Sequence, residues 1–319
     1  MKKFLSSFII MLLCLGLFGC NNDTTQKNSN VSKNEQATFP MTVKDATKKE
    51  ISIKEAPKRI VSLIPSNTEI LFSIGEGKDV VGVTDFDNYP KEVKSIDKIG
   101  GNNADMTYNV EKIISLKPDL VLAHESSLGI SADGLEQLKQ AGINVFVVKN
   151  AATINDVYDT ILQVGEITGK TEQSKKVVSG MKTKLDEISK KTAKASTNQK
   201  VWLEISGPPE IYTAGKGTFL DEMISIIHAK NVAETQKGWV QYSEESAIKA
   251  NPDIILTTYG DFVPNLEKTV MDRKNWQTVN AIKNQRVYDI NADTTSRPGP
   301  RLAEGVEAIA KAVYPELFK

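Results

Sequence analysis

Two cysteines and two histidines are all that 319 residues offer of the side chains most used for thiol, imidazole and metal chemistry. Cys14 and Cys20 both stand near the N-terminus, inside or at the end of an apolar run. The rest of the chain therefore cannot form a disulfide, and the fold must hold by its core, which a chain this long can bury. His124 and His228 are too few for a zinc or manganese site, which takes several imidazoles plus a carboxylate. No metal site and no cofactor are expected. Gly-x-Ser-x-Gly, His-Glu-x-x-His and the phosphate-loop pattern are missing, and Gly215-Lys-Gly-Thr218 falls short of the last by its intervening glycine. Nucleophile and base rarely stand together in such a chain, so it is not expected to be an enzyme. Charge of one sign is missing too, with 40 basic against 40 acidic residues. Loss of Lys2 and Lys3 with an N-terminal signal leaves 38 − 40 = −2, which gives no attraction for nucleic acid.

What is present begins with an export signal. Lys2 and Lys3 precede a run from Phe4 to Phe18 that is almost wholly apolar yet short for a membrane span. It ends in Leu17-Phe18-Gly19-Cys20, which resembles the bacterial lipobox, with Cys20 as the acylated N-terminus of the mature chain. Asn21–Gln36 is rich in Asn, Thr, Ser, Lys and Gln, a composition that cannot bury a core. As a coil it spans roughly 20–25 Å, a tether between anchor and globule.

From Phe39 the pattern is globular. Met41–Lys44 and Glu50–Ile53 alternate at period two like a hairpin. Arg59–Ile64 reads as a buried strand, and Ser66-Asn-Thr-Glu69 as a capping box opening a helix over Ile70, Leu71 and Ile74. Strands at 80–83, 119–123 and 144–148 alternate with helices at 110–116 and 134–141. Strands at 200–205, 253–257 and 286–290 and helices at 219–227, 244–250 and 303–313 repeat the scheme. The fold class is α/β, with mostly parallel sheets flanked by helices. Glu111…Pro118-Asp119 matches Glu245…Pro252-Asp253, since 118 − 111 and 252 − 245 both equal 7. Asn109 and Ser243 stand as N-caps two residues before each glutamate. Two pseudo-symmetric lobes follow. A helix over 153–167 precedes a proline-free helix over 171–195, about 37 Å long and able to run between lobes or to lie on the first. The expected boundaries are signal 1–19, lipidated cysteine and tether 20–38, N-terminal lobe 39–170, linking helix 171–196 and C-terminal lobe 197–319.

Pro57-Lys-Arg-Ile-Val-Ser-Leu, Pro65-Ser-Asn-Thr-Glu69, Val81-Gly-Val, Tyr89-Pro90, the two Pro-Asp blocks and Gly299-Pro-Arg301 occur in an order and spacing that resembles the periplasmic-type binding proteins for vitamin B12, ferric siderophores and haem. The likeness runs from about Val43 to the C-terminus. It implies two α/β lobes joined by one long helix, a ligand between them, and little closure. Val83–Pro90, Pro209–Lys216 and Gly238–Gln241 are similar to aromatic-bearing segments of the vitamin B12-binding members.

Loops at the C-terminal ends of strands line clefts in open α/β sheets. By position they supply Pro65, Ser66, Asn67, Phe86, His124, Tyr212, Trp239, Thr294 and Arg297 as ligand contacts. Aromatic faces suit a flat macrocycle, and arginine forks suit carboxylate, amide or phosphate edges. Ser66 and Asn67 also read as helix caps, and Arg301 reads rather as a brace for the last helix. His124 stands where the B12-binding relatives have a tryptophan; it is either a metal ligand or, more plainly, a polar rim residue. His228 reads as a core residue of an apolar helix. The resemblance implies that Glu111 and Glu245 dock on arginines of an importer's membrane subunits; the plainer reading is that both favour helix N-termini. Glu244, adjacent to Glu245, leaves that register open by one residue. The expected protein is a lipid-anchored extracytoplasmic binder, monomeric when free. It would deliver cobalamin, or alternatively a ferric siderophore or haem, to an ABC permease dimer with its ATPase subunits.

Overall fold

The hairpin of β1 (Met41–Lys44) and β2 (Glu50–Ile53) is antiparallel, with Met41 opposite Ile53. This is a computed structural model of the chain, and it describes residues 37–101 and 107–319. The expected signal, Cys20 and the tether up to residue 36 lie outside the described residues.

The first lobe follows with β3 (Ile60–Ser62), α1 (Pro65–Ser73), β4 (Val80–Val83), β5 (Asp97–Lys98), α2 (Val110–Ser115), β6 (Leu120–His124), α3 (Leu128–Gln140) and β7 (Asn144–Val148). Its sheet has the order β5-β4-β3-β6-β7, all parallel. β3 and β6 are buried at every residue, as expected of strands covered by helices on both faces. α4 (Ile154–Ile167) and α5 (Thr171–Thr192) come next. The second lobe has β8 (Lys200–Glu204), β9 (Tyr212–Ala214), α6 (Phe219–Ile226), β10 (Lys230–Asn231), β11 (Trp239–Gln241), α7 (Glu244–Ala250), β12 (Ile254–Thr257), α8 (Leu266–Met271), α9 (Asn280–Lys283), β13 (Val287–Asp289), α10 (Ala292–Ser296) and α11 (Leu302–Val313). Its parallel sheet runs β10-β8-β12-β13, and β9 and β11 form a separate antiparallel ribbon.

The repeat is visible bond by bond. Asn109 caps α2 by accepting from Lys112 N, and Ser243 caps α7 by accepting from Ser246 N. Asp119 accepts Lys58 N at 2.8 Å at the entry to β3, and Asp253 accepts Lys200 N at 2.9 Å at the start of β8. β3 pairs with β6 as β8 pairs with β12.

The apolar interior is arranged in three clusters among the described residues. One backs the first sheet through Val61, Ile113 and Val145, and one backs the second through Trp202, Ile255 and Trp276. The third is shared: it joins Ile70 and Phe146 of the first lobe to Leu203 and Ile309 of the second. Val178, Met181, Leu185 and Ile188 of α5 sit within it. α5 therefore packs on both α4 and α11, and is no mere surface helix of the first lobe.

Several elements differ from expectation. α1 has no capping box: its cap is Ile64, Pro65 is the first helical residue, and Ser66, Asn67 and Glu69 lie inside the helix. Proline at the first helical position fixes φ where the helix needs it, so the start falls two residues early. Ser66 and Asn67 are thus not caps. α3 starts six residues before Gly134, which lies inside the helix where it nears α2; a Cβ there would meet Val110 Cγ2 at 3.1 Å. His228 is not in the core: α6 ends at Ile226, and His228 is exposed with φ +58°, its Nε2 3.1 Å from Ser189 Oγ.

Candidate ligand-binding site

The turn after β4 is built to display one aromatic ring. Asp87 is buried, and one of its carboxylate oxygens accepts from Thr84 N at 2.9 Å and Thr84 Oγ1 at 2.6 Å. Lys98 Nζ donates to the carbonyls of Thr84 and Asp87. Burial pushes the Asp87 carboxyl up, against the pull of these hydroxyl and backbone donors. The loop so clamped leaves Phe86 43% and Tyr89 44% exposed.

A second aromatic display stands in the other lobe. The β9–β11 ribbon rises at the C-terminal end of β8, where Ile205 N donates to Tyr212 O at 2.9 Å. Trp239 pairs with Ala214 and Gln241 with Tyr212, which puts Tyr212 and Trp239 on one face of the ribbon as diagonal neighbours. Trp239 is 50% exposed yet braced edge-on by the buried Phe219, with ring centroids 5.6 Å apart. The approach to β11 needs glycine: Gly238 has φ +71°, and a Cβ on Gly215 would lie 2.5 Å from Gln236 O.

The ends of the two sheets meet through Arg297, which follows α10. Its guanidinium donates to Glu69 Oε1 at 2.8 Å, to Asn88 Oδ1 at 2.8 Å and to Phe86 O at 3.3 Å, and it pairs with Asp293 at 2.7 Å. Arg301 approaches the same Glu69 oxygen at 3.3 Å and lies 4.0 Å over the Tyr89 ring. Burial pushes the Glu69 carboxyl up, against the two guanidiniums that draw it down. The Arg297 fork is therefore already filled by protein groups.

Other expected contacts are turned inward. Ser66 and Asn67 are each 1% exposed, and the Asn67 amide donates to Ala123 O at 3.1 Å. His124 is 3% exposed; its Nδ1 accepts from Ser126 N at 3.2 Å, and burial lowers its pKa, which favours the neutral ring. It caps the short turn that leads into α3. Thr294 is 7% exposed and bonded to Asn291. Pro65 is half-buried at the start of α1. No cluster of His, Cys, Asp and Glu able to hold a metal occurs among the described residues. Tyr89 and Glu69 belong to the segments that carry the family resemblance, but nothing in the sequence marks either as a site residue.

Glu111 and Glu245 occupy the second position of their helices, α2 and α7, and both are exposed. Glu244 is engaged, accepting from Trp276 Nε1 at 2.7 Å. That separates the neighbouring acids: Glu244 braces the lobe, and Glu245 faces solvent.

The family profile described as "Periplasmic binding protein" matches residues 60–294. The uncharacterized ABC transporter substrate-binding lipoprotein YvrC of Bacillus subtilis is 47% identical over 312 residues, covering 97% of this chain and 96% of that one. A cobalamin-binding protein of Halobacterium salinarum is 27% identical, covering 86% of this chain and 74% of its own. Among solved structures, a possible iron-binding periplasmic solute-binding protein from Staphylococcus epidermidis is 40% identical with a TM-score of 0.74, covering 82% of this chain and 100% of that one. The chain belongs to the periplasmic binding protein family: it is a two-lobed solute-binding protein and not an enzyme.

Proposed function

We propose that this chain is the lipid-anchored, extracytoplasmic substrate-binding component of an ABC importer, and that it captures cobalamin or a related corrinoid between its lobes. The observation that carries the ligand is the pairing of exposed aromatics with engaged arginines. Phe86 and Tyr89 on one lobe and Tyr212 and Trp239 on the other offer ring faces at 40–50% exposure. Such faces bury area on a flat macrocycle at little cost in side-chain freedom. Arg297 and Arg301 are committed to Glu69, which leaves them poor partners for an anionic ferric chelate. His124, buried and turned to Ser126, is poorly placed to reach a haem iron. The cobalamin-binding relative supports the same reading. The possible iron-binding neighbour keeps a ferric siderophore as the second reading.

The remainder of the proposal is delivery. Cys20 anchors the chain, and Glu111 and Glu245, at matched places on the two lobes, register it on the two permease subunits. Surface acids at a rim steer and orient docking more than they add affinity.

Residues 35–319 form one compact unit, and calorimetric titration of that unit with cyanocobalamin is the test. The expected result is one-to-one binding weakened at least tenfold by Trp239→Ala, about 1.4 kcal/mol. Absence of cobalamin binding together with tight binding of a ferric siderophore would move the protein to iron uptake. Reversal of Glu111 and Glu245 to lysine should abolish uptake in cells and leave the titration unchanged. Undiminished uptake removes the docking role.

A further inference from the structure

Glu69 sits in the middle of α1 with 1% of its side chain exposed, yet the groups it holds belong to the other lobe. Arg297 and Arg301 are 228 and 232 residues away in sequence. Around them the ties form a closed ring. Glu69 accepts from Arg297, Arg297 pairs with Asp293, Asp293 accepts from the Asn88 amide at 2.8 Å, and the Asn88 carbonyl accepts from Arg297. Arg297 also holds Phe86 O, and Arg301 covers Tyr89. Of these contacts only the pair of Arg297 with Asp293 stays within one lobe. The segment that carries the first lobe's aromatic rings is thus gripped at three successive points, Phe86, Asn88 and Tyr89, from the second lobe.

The surroundings do not duplicate this grip. The second Glu69 oxygen has no hydrogen-bond partner, and Glu69, Phe72, Tyr89 and Arg301 line a cavity of about 330 Å³. Close apolar packing takes over only at the next residues, Ile70 and Leu302, which belong to the shared core. Beside this cavity the lobes are held by direct charged and polar contacts.

We infer that Glu69 is a positioning residue: with Arg297 and Asn88 it forms an inter-lobe staple that fixes the distance between the Phe86–Tyr89 aromatics and the second lobe before any solute arrives. This holds whichever solute is bound, because every contact in the staple is within the chain. A staple that presets the cleft lowers the ordering cost of binding and narrows the range of solutes that fit.

The experiment measures the inter-lobe distance directly. The unit from Glu35 onward contains no cysteine, so Lys94→Cys and Lys268→Cys, both exposed and one in each lobe, give a unique pair for spin labels. Pulsed electron–electron resonance on the solute-free protein should give one narrow distance distribution. Glu69→Gln removes the charge but keeps the shape, and should broaden the distribution or move it to longer distance. Removing one partner leaves Arg297 and Arg301 short of a buried counter-charge, so the thermal midpoint should fall in the same variant. Distances are therefore recorded well below that midpoint, where circular dichroism gives the parent's folded signal, and broadening there separates positioning from mere support of the fold. Asn88→Ala, at an exposed position, tests the same ring without touching the buried carboxylate and should broaden the distribution as well. An unchanged distribution in both variants overturns the staple, as does a broadening confined to temperatures at which the folded signal is already lost.

Discussion

Asp119 and Asp253 do the same work at the same place in the two lobes. Each ends the Pro-Asp step between a helix and a central strand. Each accepts a backbone N–H at the entry to the neighbouring strand, Lys58 N for one and Lys200 N for the other. Their own N–H groups return the favour, to Arg59 O at 2.9 Å and Lys200 O at 2.8 Å. The repeat was legible in the sequence because the spacing from glutamate to proline is preserved, but the aspartate's role was not, because its partner lies 61 residues away in one lobe and 53 in the other. Truncation of either, Asp119→Ala or Asp253→Ala, should cost about 1.5–3 kcal/mol, as expected for a hydrogen bond to a charged group. Denaturant midpoints compare the two; a cost in one lobe and none in the other breaks the equivalence. Glu69 teaches the same limit from the other direction. The spacing Ser66-x-x-Glu69 matches a capping box, but Pro65 takes the first helical position and leaves the glutamate two residues too deep to cap. The proline was in view and is the signal that would have prevented the error. That Glu69 meets Arg297 was not, since nothing local marks it.

Helix α4 shows an element whose local signals and tertiary contacts agree. Thr153 and Asp156, three residues apart in the sequence, form a full capping box. Glu222 of α6 accepts the Ile154 N–H at 2.7 Å, so a donor that the box leaves free is satisfied from the second lobe. Burial by itself would raise the Asp156 carboxyl, but donors from Lys149 and from the Thr153 side chain and backbone outweigh it and hold the pKa at about 2, below the ordinary 3.8. A carboxyl lowered in the folded state adds stability above its unfolded pKa and loses it as pH falls through the folded value. Asp156→Ala should therefore cost about 1 kcal/mol at neutral pH, a usual figure for a lost cap. The gap to the parent should close between about pH 4 and pH 2. A gap that stays constant on acidification would mean that the loss is one of packing. The elements missed from sequence are of the opposite kind. β9 and β11 are three residues each, too short for alternation to register, and they exist because each supplies the other's partner.

Taken whole, the molecule has a shared core where a two-lobed protein might have two separate ones. The large buried cluster runs from Ile60 and Phe146 through α4 and α5 to Leu203, Val306 and Ile309. The sequence of α5 carries an apolar stripe at Val177, Val178, Met181, Leu185 and Ile188, but a stripe does not say what it faces. Here it faces α4 on one side and α11 on the other, and Lys184 adds an ion pair to Glu307 at 2.7 Å. Chains made of separable domains commonly unfold in steps, each domain losing its own core. A core that crosses between lobes removes that option, since neither lobe can open without exposing apolar surface of the other. Residues 35–319 should accordingly melt in one calorimetric transition whose calorimetric and van't Hoff enthalpies agree. Leu185→Ala, at the centre of the stripe, should lower stability by about 2–5 kcal/mol, the usual range for a buried leucine. It should shift that single transition and not split it. Two resolved transitions in the parent protein, or a Leu185→Ala variant in which one lobe melts early while the other keeps its midpoint, would show that the lobes are energetically independent. The linking helices would then be a connection between two cores and not the middle of one.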